Sequence, residues 1–256
     1  MFKSTHHIAR KIVIKLGGST LEGLNTAFFQ NFKKLQEQGY SIVITHGGGP
    51  AINRALDKSK IKSHTINGLR VTTDDMIELV QSTLIGQVNP SLVHELNAAG
   101  IQAIGLNGFD GQLLLSDYLD HAVYGHVGEV KQVKVAILER LIAAGIVPVI
   151  ACIGATSEGQ ALNINGDTVA SSVALALQAD SLLLVTDVAG IRIAGEYQSS
   201  VTPRKIQTWI EEGHIYGGMI PKVEGALACL KAGIPTVQIV NETLIGTTIL
   251  SEELVK

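Results

Sequence analysis

Six short apolar runs rich in β-branched residues recur along the chain and read as strands: Ile12–Leu16, Ser41–Thr45, Gln102–Leu106, Ile146–Ala151, Ser181–Thr186 and Thr236–Val240. Helix-period spacing separates them. Leu24, Phe28, Phe32 and Leu35 precede Gly39; Ile77, Val80 and Leu84 follow Thr73, a candidate N-cap; Val169, Val173 and Leu177 follow Asp167. Strand and helix in alternation predict an α/β fold, a three-layer αβα sandwich around a mostly parallel sheet covered on both faces. Shorter pieces with turn signals, Lys60–Ile66, Gln112–Leu119 and Gln160–Ile164, predict β-hairpins added at one end of that sheet to cover a ligand. The mildest boundary lies near Gln178–Asp180. It suggests an N-terminal lobe of residues 1–179 and a C-terminal lobe of residues 180–256 sharing one continuous sheet.

At 256 residues the chain can bury a large core. Its formal charge of −3 and the absence of any Lys or Arg stripe argue against a nucleic-acid partner, so small acidic metabolites must be captured locally. Cys152 and Cys229 stand far apart with no CxxC, which predicts reduced buried thiols and a cytoplasmic setting. No apolar signal segment follows Met1–Arg10. The most apolar stretch, Leu141–Ile153, is short and broken by Gly145 and Pro148, so no membrane span is expected. None of the eight histidines forms HxxxH or HExxH, and no histidine metal site is expected. His46 beside a glycine turn reads as support for that turn.

Chemistry concentrates in five islands: Ile14-Lys15-Leu16-Gly17-Gly18, His46-Gly47-Gly48-Gly49-Pro50, Asn67-Gly68-Leu69-Arg70-Val71-Thr72, Asn163-Ile164-Asn165-Gly166-Asp167, and Gly217-Gly218-Met219-Ile220-Pro221-Lys222. Lysines beside glycine turns at strand ends suit phosphoryl transfer, because bare backbone N–H groups approach oxyanions while ammonium groups neutralise them. Lys15 is a charge inside an apolar strand, and Gly17 and Gly18 would let a phosphoryl group approach the backbone. Gly47, Gly48 and Gly49 precede a helix starting near Pro50, which offers free N–H groups to an anion. Arg70, in a polar turn, can hold a carboxylate with two parallel hydrogen bonds. Asp167 opens a helix, where an N-cap is its plain reading. Lys222 near a helix start opposes the dipole, which hints at a purpose other than stability. Neither GxxxxGK[ST] nor GxGxxG occurs, against a P-loop or dinucleotide fold.

In combination, from about Lys11 to Leu250, these islands resemble the amino acid kinase family, and within it the branch that phosphorylates N-acetyl-L-glutamate; Asn67–Thr72 and the Asn-x-Asn-x-Asp run carry most of that likeness. The resemblance implies ATP as phosphoryl donor, with Mg²⁺ held mainly by the nucleotide phosphates and no protein metal ligand. It makes Lys15 and Lys222 catalytic, with Asp167 between them to orient both. It assigns substrate binding to Gly48 and Gly49, Arg70 to the α-carboxylate, and Asn163 to the acetamido end. It makes Thr186, Asp187, Val188, Gly190 and Ile191, with Gly217, Gly218 and Met219, the nucleotide-binding turns. Gly166 stands where other members often carry alanine; little consequence is expected, although the extra freedom could loosen Asp167. A related acid (an aminoadipate derivative, aspartate or glutamate) and a non-catalytic amino-acid sensor remain the alternatives. Because Met1–Arg10 is too short for the helix that links arginine-inhibited members into rings, the resemblance implies a homodimer insensitive to arginine.

Overall fold

In the computed structural model the described residues are 10–21 and 24–251, so the reading of Met1–Arg10 falls almost wholly outside them. An eight-stranded sheet runs in the order Ser200–Val201, Gly246–Leu250, Thr236–Val240, Ser181–Val185, Arg10–Leu16, Tyr40–His46, Val147–Ala151, Ala103–Leu106. Every neighbouring pair is parallel except Thr236–Val240 with Gly246–Leu250. All six expected strands are present within a residue or two of their expected ends. Strands Ser200–Val201 and Gly246–Leu250 extend the sheet beyond them.

The strand period decides which face each residue serves. Ile12, Ile14 and Leu16 point to a core shared with Phe28 and Phe32 of helix Thr26–Glu37 and Leu92 and Leu96 of helix Asn89–Ala98. Val13 points to the opposite core, with Val169 and Val173 of helix Gly166–Ala176 and Val223 and Ala226 of helix Met219–Lys231. Lys15 has the parity of Val13 and therefore emerges on the face where those two helices begin.

Register sets the level at which the loops leave. Leu16 lies beside both His46 and Val185, so the chain departs from three adjacent parallel strands at one height, through Gly17, Gly47 and Thr186. Ligands of parallel sheets bind at such carboxyl ends.

The added pieces are arranged differently from the expectation of separate hairpins. Leu114–Tyr118, Val127–Val133, Ile153–Ala155 and Ala161–Ile164 close into a four-stranded barrel with both parallel and antiparallel pairs. Of Lys60–Ile66 only Thr65–Ile66 is a strand. It pairs with Leu69–Arg70 across Asn67 (φ 50°) and Gly68 (φ 77°), the two left-handed residues that a tight hairpin of this twist requires.

Candidate active site

Lys15 and Asp167 meet first. Asp167 is the second residue of helix Gly166–Ala176, and its cap is Asn165, whose side chain accepts from the N–H groups of Asp167 and Thr168. This corrects the N-cap reading of Asp167: with Asn165 serving the backbone, the Asp167 carboxylate is free to pair with Lys15 Nζ at 2.9 Å. Gly166 leaves room for the lysine stem, since a Cβ there would lie 3.4 Å from Lys15 Cε. Cys152 packs beneath, and burial pushes its thiol up to about 12, as befits an inert reduced cysteine.

Lys222 lies in the first turn of helix Met219–Lys231 and is ion-paired with Asp187. The hydrogen bond from Lys222 holds the Asp187 carboxyl below its ordinary value. Asp167, expected between the two lysines, pairs with Lys15, while Lys222 has a carboxylate of its own, Asp187, on the facing loop. Both pairs line one cavity of about 300 Å³, together with Gly17, Thr186 and Gly218.

Thr186 shapes the expected nucleotide turn by accepting from the Val188 N–H and donating to the Val188 carbonyl. Gly190 (φ 114°) allows close approach to Thr247; a Cβ would fall 2.5 Å from its Oγ1. Ile191 is fully buried, so its side chain serves the core and only its backbone shapes the turn. Gly217 (φ 57°) turns the chain into the Lys222 helix, and Met219 lines a separate hollow with Tyr216.

The glycine turns play unequal parts. A Cβ on Gly18 would strike Pro50 Cδ at 2.6 Å and Gly49 N at 2.7 Å, and one on Gly48 would strike Leu84 at 2.5 Å. These two glycines permit packing. Gly47 and Gly49 have open space there, but the Gly47 N–H already donates to Leu16 O, which removes it as an anion donor. Gly49 opens helix Gly49–Lys58, whose first N–H groups lack intrahelical acceptors.

His46 supports the turn as expected, through a partner not anticipated. Its Nδ1 lies 2.8 Å from Gly47 O and its Nε2 2.9 Å from Asn89 Nδ2, while Asn89 also donates to Val149 O. Burial lowers the His46 pKa to about 4, so the ring is neutral, with Nδ1 donating to Gly47 O and Nε2 accepting from Asn89.

Arg70 is half-buried, and its forked nitrogens donate to Asn53 Oδ1 and Ser63 Oγ at 2.5 Å each. Among the described residues no carboxylate pairs with it, and neutral groups aim the guanidinium. Burial draws its pKa down from the ordinary value. Thr72 ties this segment to the barrel: its hydroxyl donates to Arg70 O and accepts from Asn163 Nδ2 at 3.0 Å. Asn53, Ser63 and Asn89 were not anticipated, nor was the link that Thr72 makes to Asn163; apart from Ser63, which lies near Arg70 in sequence, these roles arise from contacts made at a distance along the chain.

The profile of the amino acid kinase family matches residues 10–241. The chain is 45% identical over 247 residues to the acetylglutamate kinase of Halalkalibacterium halodurans, covering 93% of this chain and 95% of that protein. It is 43% identical over 253 residues to the acetylglutamate kinase of Geobacillus stearothermophilus, covering 96% and 98%. A Streptococcus mutans crystal structure superposes with a TM-score of 0.83 at 37% identity, covering 94% of this chain and 98% of that one.

Proposed function

The chain belongs to the amino acid kinase family, and from that premise we propose that it is an acetylglutamate kinase, transferring the γ-phosphoryl group of ATP to the side-chain carboxylate of N-acetyl-L-glutamate. The products are N-acetyl-L-glutamyl 5-phosphate and ADP, a step of arginine biosynthesis. The observation that carries the reading is the cavity on which Lys15 with Asp167 and Lys222 with Asp187 converge, in a chain more than 40% identical to proteins of that name.

A side-chain carboxylic acid, with a reference pKa of about 4.3, is ionised at neutral pH, so no general base is required. One carboxylate oxygen attacks Pγ, a new P–O bond forms, and the bond from Pγ to the bridging oxygen breaks to release ADP. The problem is alignment of two anions and neutralisation of spreading charge. Lys15 and Lys222 supply the cations. The backbone N–H at Gly17, which lines the cavity, and the first N–H groups of helix Gly49–Lys58 supply donors. Arg70 takes the α-carboxylate and Asn163 the acetamido group, both held in register by Thr72. Mg²⁺, when bound, neutralises phosphate charge; the two carboxylates on the cavity, Asp167 and Asp187, are each engaged by a lysine, a donor set that fits an ion held chiefly by nucleotide phosphates and water.

Residues 1–179 would carry acid-substrate binding and self-association, and residues 180–256 ATP binding. Homodimerisation is supported by the sheet edge Ala103–Leu106, where Ile104 is 42% exposed. Among the described residues no helix is long and apolar enough to cross a membrane, and a cytoplasmic location is part of the proposal.

Hydroxylamine trapping of acyl phosphate, with ATP and a panel of N-acetyl-L-glutamate, glutamate, aspartate and N-acetylaminoadipate, tests the substrate. N-acetyl-L-glutamate is expected to give the highest kcat/KM. Preference for another acid, or no ADP release with any, overturns the assignment. Light scattering tests the dimer, and a monomer would remove it.

A further inference from the structure

Away from the lysine cavity, Asp74, His121 and His126 bring their ligand atoms within 4.8 Å of one another. The spacing from His121 to His126 matches no helical metal motif, and the third residue comes from far earlier in the chain. The fold joins them through a backbone clamp. Thr72 N donates to Tyr124 O, and His126 N donates to Thr72 O at 2.7 Å. Gly125 (φ 65°) makes this close approach possible, since a Cβ there would fall 2.3 Å from Thr72 O.

We propose that Asp74, His121 and His126 form a binding site for a divalent transition-metal ion of the zinc type. Two imidazoles and one carboxylate are a zinc-like donor set, distinct from the all-oxygen shell that Mg²⁺ takes. His126 is nearly buried, with Nε2 2.5 Å from Asp74 Oδ1 and Nδ1 3.5 Å from the Tyr118 hydroxyl. Ligating histidines are commonly oriented by such an outer partner on the second nitrogen. Tyr118 also stacks edge-on against His121, ring centroids 4.7 Å apart, so one aromatic ring braces both imidazoles. A hydrogen-bonded His–Asp pair would need only two of these groups; the third, exposed imidazole completes a face open to solvent, where water can fill the remaining position. Zinc bonds of about 2.0–2.1 Å place neighbouring tetrahedral ligand atoms about 3.3 Å apart. Asp74 must therefore swing outward from His126, which its 91% exposed side chain allows. A bound ion would rivet the segment carrying Arg70 and Thr72 to the barrel carrying Asn163.

Titration of Co²⁺ into the tag-free full chain in excess Mg²⁺, followed by visible absorption and metal analysis, tests the site. One Co²⁺ per chain with ligand-field bands is expected, with a rise in melting temperature. His121→Ala and Asp74→Asn should each weaken binding by roughly ten-fold or more while melting like metal-free wild type. Binding of undiminished strength in both variants, as if the ion sat on His6 and His7, overturns the proposal. So does loss of Co²⁺ to excess Mg²⁺, or no bound Co²⁺ at all.

Discussion

Lys15 and Lys222 line the same cavity, yet they are held in different ways. Lys15 rises from the middle of the sheet, its stem against Gly166, and its partner Asp167 sits on a helix whose first turn is capped by Asn165. The turn beneath it is pinned by Gly18 packed on Gly49 and Pro50, and by the buried His46–Asn89 pair. Lys222 lies in the first turn of a helix entered through Gly217 and Gly218, and its partner Asp187 is 74% exposed on a loop, against 55% for Asp167. An exposed ion pair of that kind contributes little to stability. In the proposed reaction Lys15 would be the fixed charge, and Lys222 the one that exchanges Asp187 for a phosphate when nucleotide arrives.

Removing each charge tests that contrast most severely. Lys15→Ala and Lys222→Ala should each lower kcat by roughly 10²–10³, the usual cost of losing one donor to transition-state charge. The two should part in KM: Lys15→Ala is expected to leave the KM for ATP nearly unchanged, while Lys222→Ala raises it. Near-normal turnover in either purified variant would refute the assignment, and identical KM values for ATP would erase the proposed difference.

Acid should attack the rigid side first. The His46 pKa is lowered from 6.5 to about 4, so between those values the unfolded chain binds more protons than the folded one. Its contribution is complete above pH 6.5 and is lost as pH falls toward 4, a change of roughly 3 kcal/mol if the shift is fully realised. His46→Asn keeps a donor for Gly47 O without an ionisable ring. Melting temperatures from pH 7 to 4.5 should fall more steeply for wild type than for this variant; parallel curves would show that His46 is not the acid-sensitive element.

Arg70→Lys sharpens the comparison on the acid-substrate side. Lysine keeps the charge but cannot serve Asn53, Ser63 and a substrate carboxylate through a planar fork. Hydrogen bonds to charged groups contribute about 1.5–3 kcal/mol, which corresponds to a rise of roughly ten- to a hundred-fold in the KM for N-acetyl-L-glutamate. The KM for ATP should hardly move. An equal rise in both would place Arg70 on the nucleotide or in the general structure.

The parts that were legible in the sequence are those written in local pattern. Thr236–Val240 announced its strand residue for residue, and the unbroken apolar run Ile12-Val13-Ile14 marked a strand buried on both faces, with Lys15 as the charge set into it. Gly246–Leu250 escaped because Gly-Thr-Thr-Ile-Leu has neither a long apolar run nor clear alternation. The Asn67-Gly68 signal was available and marks the hairpin turn. Partners across the fold could not be read. Nothing near Lys222 names Asp187, nothing near His46 names Asn89, and Asn165, not Asp167, is the cap once the helix start is fixed at Gly166.

The smallest effect concerns Gly166, where the sequence predicts little consequence beyond some freedom that could loosen Asp167. Asn165 already fixes the helix entry with two hydrogen bonds, and a Cβ on Gly166 would meet Lys15 Cε at 3.4 Å and Cys152 Sγ at 3.8 Å, ordinary contacts at the tight end. The backbone there is not left-handed, so alanine carries no conformational penalty. Gly166→Ala should therefore stabilise the protein by about 0.4–1 kcal/mol through a less flexible unfolded chain, with kcat near wild type. Gly18→Ala is the control: its Cβ would lie 2.7 Å from the Gly49 backbone, and it should destabilise by about 1–3 kcal/mol. Denaturant midpoints of the two variants decide the matter. If Gly166→Ala instead destabilises or slows turnover, the Lys15 stem has less room than its contacts suggest, and the fixed side of the site depends on a bare backbone there as it does at Gly18.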